Sequence, residues 1–241
     1  MSRADLSLLE KRDVWVFDLD NTLYPASCDL FAEIDQRMTD FVARFLRLSR
    51  SEARTIQKQY YAEYGTTLNG LMSLHGMDPA DFLAHVHEID LSPLPRDLGL
   101  KASIEALPGR KYVYTNGSRR HADRVTAYMG IDACFNGQFG IEDSDYQPKP
   151  APAAYDRFCE TFDIDPERAV FFEDLARNLA PASDLGFATV LVQSDKDWSH
   201  EPQSARPSQI GDDLPRHIDY VTRDLPDFLH RIVNQVAPKT V

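Results

Sequence analysis

Asp18 and Asp20 stand two positions apart at the end of the run Val14-Trp15-Val16-Phe17. In near-extended backbone that spacing projects both carboxylates to the same side. Two close carboxylates repel unless a cation lies between them or one of them holds a proton. Either arrangement is chemically useful. Polar clusters end two further β-type runs: Lys111–Thr115 leads into Asn116-Gly117-Ser118, and Ala169–Phe172 leads into Glu173-Asp174, with Asn178 just beyond. Between them Lys149 is held by Pro148 and Pro150 in a stiff loop ahead of the helical stretch Ala153–Phe162. Polar groups delivered by several strand ends to one place make a site.

The elements that must position these groups are legible. Val14–Phe17 is β-branched or aromatic throughout, which suits a strand buried on both faces of a parallel sheet. Open α/β sheets bind ligands at the carboxyl ends of such strands. Ala188–Val192 reads as another strand, Ile218–Val221 as an edge strand and Asp224–Val233 as a closing helix. The stretch from Ser194 to Arg216, rich in Ser, Pro, Asp and Gln, reads as a long surface loop. The segment after the first strand has a different texture. Leu30, Ile34, Met38, Phe41 and Phe45 recur at helical spacing. Ser49 and Glu52 form a capping box that opens a second helix toward Tyr64, with Gly65 as its stop. Thr67–His75 predicts a third helix closed by Gly76, and Asp78-Pro79 starts a fourth running to about Glu88. Ser92-Pro93-Leu94-Pro95 then returns the chain to the core.

In order along the chain, Asp18-x-Asp20-x-Thr22, Thr115-Asn116-Gly117, Lys149-Pro150 and Glu173-Asp174-x-x-x-Asn178 resemble the four motifs of the haloacid dehalogenase (HAD) superfamily of phosphohydrolases. Finer features resemble its pyrimidine 5′-nucleotidase branch: Asp20-Asn21-Thr22-Leu23-Tyr24-Pro25, Tyr64-Gly65-Thr66-Thr67-Leu68, and Lys149-Pro150-Ala151-Pro152-Ala153-Ala154-Tyr155. The resemblance implies an α/β fold, a Rossmann-like parallel sheet core (1–24 and 96–241) with an inserted α-helical cap domain (25–95).

It also implies roles. Asp18 is the expected nucleophile, forming an aspartyl-phosphate beside Mg²⁺. Asp18, the Asp20 backbone carbonyl and Asp174 are the expected metal ligands. The Asp20 side chain is the expected acid toward the leaving alkoxide and then the base toward water. Thr115, Asn116 (partly through its backbone N–H) and Lys149 would hold the phosphoryl oxygens. Glu173 and Asn178 would orient the metal's waters and Lys149, and Thr22 would brace the loop. A lid must read what is esterified to the phosphate, for which Tyr24, Thr66, Thr67 and Asn69 are the candidates. The expected substrate is a small phosphorylated metabolite, foremost a nucleoside 5′-monophosphate. Alternatives are a phosphatase or phosphomutase of another small phosphometabolite (a sugar phosphate or phosphoglycolate), a dehalogenase, or a non-catalytic phosphate-binding protein. A dehalogenase has no need of Asp20 or a metal, which weighs against it.

Composition narrows the partners. With 26 basic residues against 38 acidic, the net charge is −12, which disfavours nucleic-acid polymers and anionic membranes. No apolar stretch approaches a membrane span, and the charged Met1–Arg12 is unlike a secretory signal. Cys28, Cys134 and Cys159 are odd in number and widely spaced, as reduced packing thiols of the cytoplasm would be. His85 and His87, the closest histidine pair, fall on different helix faces, so no zinc site is expected. An acidic protein that takes an anionic substrate must make its positive field locally, from a divalent cation, Lys149 and the N–H groups of helix starts.

Overall fold

Hydrophobic runs bounded by polar ends build the centre of the molecule. In the computed structural model, which describes residues 5–96, 98–198 and 214–236, these runs form one six-stranded sheet. The strands are β1 (Val14–Phe17), β2 (Arg110–Tyr114), β3 (Gly137–Phe139), β4 (Ala169–Glu173), β5 (Ala188–Val192) and β6 (Tyr220–Thr222). All pairings are parallel, in the order β3-β2-β1-β4-β5-β6. This is the doubly wound order whose direction of growth reverses at β1 and β4, opening a crevice beyond their carboxyl ends. Phe17 pairs in register with Val113 on one side and Phe172 on the other. Asp18, Tyr114 and Glu173 therefore leave the sheet at the same level.

Residues of β1 alternate between two apolar layers. Trp15 and Phe17 face a core shared with Ile104, Val125, Phe228 and Ile232. Val14 and Val16 face one shared with Tyr155, Phe158 and Leu179. Every residue of β1, β4 and β5 is buried, which explains their unbroken apolar runs. The covering helices are α5 (Leu98–Ala106), α6 (Arg119–Met129), α7 (Pro152–Phe162), α8 (Ala176–Leu185) and α9 (Leu225–Val236).

Between β1 and α5 the chain forms α1 (Leu30–Leu46), α2 (Arg50–Tyr64), α3 (Thr67–His75) and α4 (Pro79–Val86). They pack on one another, α1 against α2 and α4, and α3 against α2. Phe41, Val42, Tyr60, Leu71 and Phe82 supply the apolar filling. The Ser49–Glu52 capping box is formed in both directions, and the Asp78 side chain accepts from the Ala80 N–H ahead of Pro79. Each such cap satisfies a donor that the first helical turn leaves orphaned.

The structure departs from expectation at element ends. The fourth cap helix stops at Val86 rather than near Glu88, and the edge strand is Tyr220–Thr222 rather than Ile218–Val221. Two elements carried no sequence signal. One is α5. The other is β3, a three-residue strand beginning with glycine that exists because Gly137 pairs with Tyr112 of β2. Most of the expected 194–216 loop, residues 199–213, lies outside the described residues, as do residues 1–4.

Candidate active site

The end of β1 turns sharply. Asn21 takes a left-handed backbone conformation, φ 63°, which asparagine tolerates better than most side chains. The Thr22 and Leu23 N–H groups both donate to the Leu19 carbonyl. Thr22 is buried, but its hydroxyl has no partner among the described residues, so the loop is braced by backbone bonds rather than by that hydroxyl.

Asp18 and Asp20 then enter separate networks. The Lys149 ammonium donates to Asp18 Oδ1 at 2.8 Å, to Glu173 Oε1 at 3.0 Å and to the Tyr114 carbonyl at 2.9 Å. Glu173 also accepts from the Asn178 amide at 2.5 Å and from the Leu175 N–H at 2.5 Å. Asn116 grips the lysine's backbone: its amide donates to the Lys149 carbonyl at 3.1 Å, and its oxygen accepts from the Lys149 N–H at 2.8 Å. Thr115 is anchored through its N–H on the Phe139 carbonyl of β3, and its hydroxyl accepts from the Gly117 N–H. The structure thus brings Asp18, Thr115, Asn116, Lys149, Glu173, Asp174 and Asn178 to one crevice.

Asp20 belongs to a different set of partners. Its Oδ1 accepts from the Tyr24 hydroxyl at 2.5 Å and lies 2.9 Å from His121 Nε2. His121 stands in the first turn of α6, where Ser118 caps the helix by accepting from the His121 N–H. The Ser118 hydroxyl also meets His87 Nδ1 at 2.9 Å.

The electrostatics follow from burial. Burial first of all, with the charges of Glu173 and Asp20 and against the pull of Lys149, pushes the Asp18 carboxyl up to about 7. Burial, then Glu173 and Asp18, raises Asp174 well above the usual carboxylate range. Burial alone would lower Lys149, but Asp18 and Glu173 more than reverse it and hold the ammonium charged. Burial would also raise Asp20, yet His121 and the two hydrogen bonds keep it below its ordinary value. His87 is pushed down to about 3 by burial and by the neighbouring His121 ring, and so carries no charge.

Asp18, Glu173 and Asp174 each offer a carboxylate oxygen within 4.8 Å of the others, and all three are buried. Oxygen-only donors, with the Lys149 ammonium hydrogen-bonded among them, fit a hard divalent cation such as Mg²⁺. Both Glu173 oxygens already accept from protein donors, whereas Asp18 Oδ2 accepts no hydrogen bond from the described residues.

Over the crevice lies a cavity of about 300 Å³ between the sheet edge and the cap helices. Thr66 and Thr67 line it, whereas Tyr24 and Asn69 do not. Their side chains have other partners: Tyr24 is spent on Asp20, and the Asn69 amide donates to the Tyr64 carbonyl. Thr66 accepts from the Asn69 N–H as the cap of α3, and the Thr67 hydroxyl donates to the Gln57 carbonyl. Residues with no sequence signal also line it, among them Tyr61, Arg177 and Asp35. Asp35 is buried and compensated by Arg54 at 2.8 Å and Lys58 at 2.7 Å. His121 was equally silent, although its place in the first turn after Thr115-Asn116-Gly117-Ser118 puts it at the sheet's functional edge.

Among the described residues no helix is long and apolar enough to cross a membrane. Phosphate metabolism protein 8 of Saccharomyces cerevisiae is 27% identical over 216 residues, covering 80% of this chain and 65% of the relative. Enolase-phosphatase E1 of Methylococcus capsulatus is 28% identical over 144 residues, 57% of this chain and 59% of the relative. A phosphoglycolate phosphatase of Haemophilus influenzae is 28% identical over 119 residues, 48% of this chain and 52% of the relative. The chain thus spans less than two thirds of the length of each of these relatives. Among solved structures, a HAD phosphatase from Thermococcus onnurineus superposes with a TM-score of 0.61 at 17% identity, covering 95% of this chain and 100% of that one. The L-2-haloacid dehalogenase of Xanthobacter autotrophicus gives 0.56 at 17% identity, covering 94% and 100%. These likenesses show a shared fold. Residues 13–186 match the family of haloacid dehalogenase-like hydrolases, and the chain belongs to it.

Proposed function

We propose that the protein is a Mg²⁺-dependent phosphomonoester hydrolase working through an aspartyl-phosphate. The observation that carries this reading is the separation of two adjacent strand-end carboxylates into unlike environments, Asp18 on Lys149 and Asp20 on His121 and Tyr24. Carboxyls in unlike environments take unlike roles, and here the bound ion and substrate would set those roles, because in the resting site Asp18 is the raised carboxyl and Asp20 the lowered one. The phosphatase names of relatives point the same way.

Asp18, Asp174 and the Asp20 carbonyl are the proposed ligands of the ion, with Glu173 and Asn178 orienting around it. When bound, the ion neutralises phosphate charge and keeps Asp18 ionised. An Asp18 oxygen attacks phosphorus, the ester P–O bond breaks, and the leaving alkoxide takes a proton from Asp20. In the resting site Asp20 is held as a carboxylate; the arriving phosphate dianion raises its proton affinity as any close like charge does, and Asp20 takes up a proton from water before the transfer. Thr115 through its hydroxyl, Asn116 through its backbone N–H and Lys149, exchanging one of its present acceptors for phosphate, hold the phosphoryl oxygens through the transfer. Asp20, now a carboxylate, accepts a proton from water. That water attacks phosphorus, the P–O bond to Asp18 breaks, and inorganic phosphate leaves.

For the leaving group we propose a nucleoside, pyrimidine before purine. The nucleotidase-like motifs support this, as does a cavity at the small end of the range for ligand sites. Thr66 and Thr67 are the proposed readers of the leaving group at its wall. A dehalogenase would leave the Asp20 network without a task. Phosphate release from a panel of nucleotides, sugar phosphates and phosphoglycolate, with and without Mg²⁺, tests the reading. Metal-dependent release led by nucleotides is expected, and no release from any member overturns it.

A further inference from the structure

Two donors converge on one oxygen of Asp20, and none reaches the other. The Tyr24 hydroxyl and His121 Nε2 both meet Oδ1, whereas Oδ2 makes no hydrogen bond to the described residues. Oδ2 faces Gly117, where a Cβ would lie 3.6 Å from it and 3.2 Å from His121 Cδ2. Glycine at this position keeps the approach to Oδ2 open.

His121 is held on every side. It is fully buried, and its N–H is spent on the Ser118 cap. Its ring stacks on that of His87 with centroids 4.3 Å apart and planes 11° apart. Its Nδ1 has no partner among the described residues. Asp20 is held as a carboxylate, which only accepts, so Nε2 is the donor of this pair. So placed, the ring is a rigid donor aimed at Oδ1.

We propose that His121 is a positioning residue which, with Tyr24, holds the Asp20 carboxyl by Oδ1 and so turns Oδ2 toward the oxygen of the leaving group. It touches neither phosphate nor metal and acts only through Asp20. The proposal rests on the reading of Asp20 as the acid and base of a phosphomonoesterase. A carboxyl free to rotate would spend most of its time with neither oxygen in line, and misplacement by about 1 Å can cost about 10²-fold in rate.

Leaving-group dependence separates this role from a structural one. An alkoxide needs the proton that Asp20 delivers, whereas p-nitrophenolate leaves without it. The kcat/KM of wild type, D20N, H121L, H121Q and Y24F would be compared on a nucleoside 5′-monophosphate and on p-nitrophenyl phosphate, both with Mg²⁺. H121L should lose about 30-fold or more on the nucleotide and less than about threefold on the aryl ester, in the pattern of D20N. H121Q, whose amide reaches about as far as Nε2, should recover most of the nucleotide rate. Y24F removes one hydroxyl from a buried ring and should show a smaller loss of the same selectivity, which carries the test if H121L does not fold. Equal losses on both esters, or no loss, overturn the role of His121 while leaving the phosphatase reading standing. A wild-type protein that releases phosphate from neither ester overturns both.

Discussion

The ring of His87, which follows the last cap helix, lies flat against the ring of His121 in the first turn of α6, with centroids 4.3 Å apart. Through His121 that contact reaches Asp20, and through Ser118 it reaches the helix start behind the Thr115-Asn116-Gly117 turn. The cap is therefore tied to the Asp20 side of the crevice, whereas Lys149 ties the Asp18 side to the core.

Replacing Asp18 by Asn should abolish turnover, because an amide oxygen does not attack phosphorus. A loss of at least about 10³-fold, or about 4 kcal/mol of barrier, is expected in phosphate release. The melting temperature of the metal-free protein should not fall, since the change removes one of the crowded carboxyls and leaves Glu173 to balance Lys149. A variant that keeps a tenth of wild-type activity would end the assignment of Asp18 as nucleophile.

Lys149 has a side chain only 1% exposed, between Asp18 and Glu173. Its replacement by Met keeps most of the volume but strands two buried carboxylates, and breaking a buried pair in this way costs about 3–5 kcal/mol. The urea midpoint should fall accordingly, and Mg²⁺ should recover part of the loss. An unchanged midpoint would show that the cluster is far better solvated than its burial implies.

Chelation should remove activity and Mg²⁺ should restore it, while Ca²⁺ should support little, because its larger and looser shell spoils in-line geometry. Full activity in excess chelator would remove the metal from the scheme.

Stability of the metal-free protein should fall as pH rises from about 6.5 to 8, a window above the ordinary histidine value, where the opposite contribution of the lowered His87 is already complete. Asp18 is raised to about 7 in the folded state, and Asp174 is raised in the same direction. Such a group holds a proton that the unfolded chain has already released. Its stabilising contribution is full below the unfolded value and is lost as pH climbs through the folded one. Asp20, held low, has the opposite sign, and its contribution is lost only as pH falls through a value below this window. The melting temperature shift on adding Mg²⁺ should accordingly be larger at pH 8 than at pH 6.5. The reverse order would contradict the raised carboxyls.

On selectivity, UMP and CMP should be hydrolysed faster than AMP and GMP, since a small cavity excludes the larger base. Thr67→Ala should shift the ratio between nucleotides while changing p-nitrophenyl phosphate hydrolysis little. Sugar phosphates or phosphoglycolate outrunning every nucleotide would overturn the nucleotide reading.

What the amino-acid sequence determined by itself is what depends on neighbours along the chain. The apolar run of Val14–Phe17 specifies a buried parallel strand, and its abrupt end specifies where Asp18 and Asp20 emerge. Ser49 with Glu52, and Asp78 with Pro79, mark helix starts because a cap is a bond across two or three residues. The tertiary structure decided what sheet order brings together. Lys149 meets Asp18 across 131 positions and His121 meets Asp20 across 101, and neither pairing has a local signature. The three-residue strand β3 exists only because β2 offers it an edge. Tyr24 shows the limit most directly. The sequence made it a candidate for reading substrate, and only the folded chain shows its hydroxyl spent on Asp20, because a buried donor takes the nearest strong acceptor.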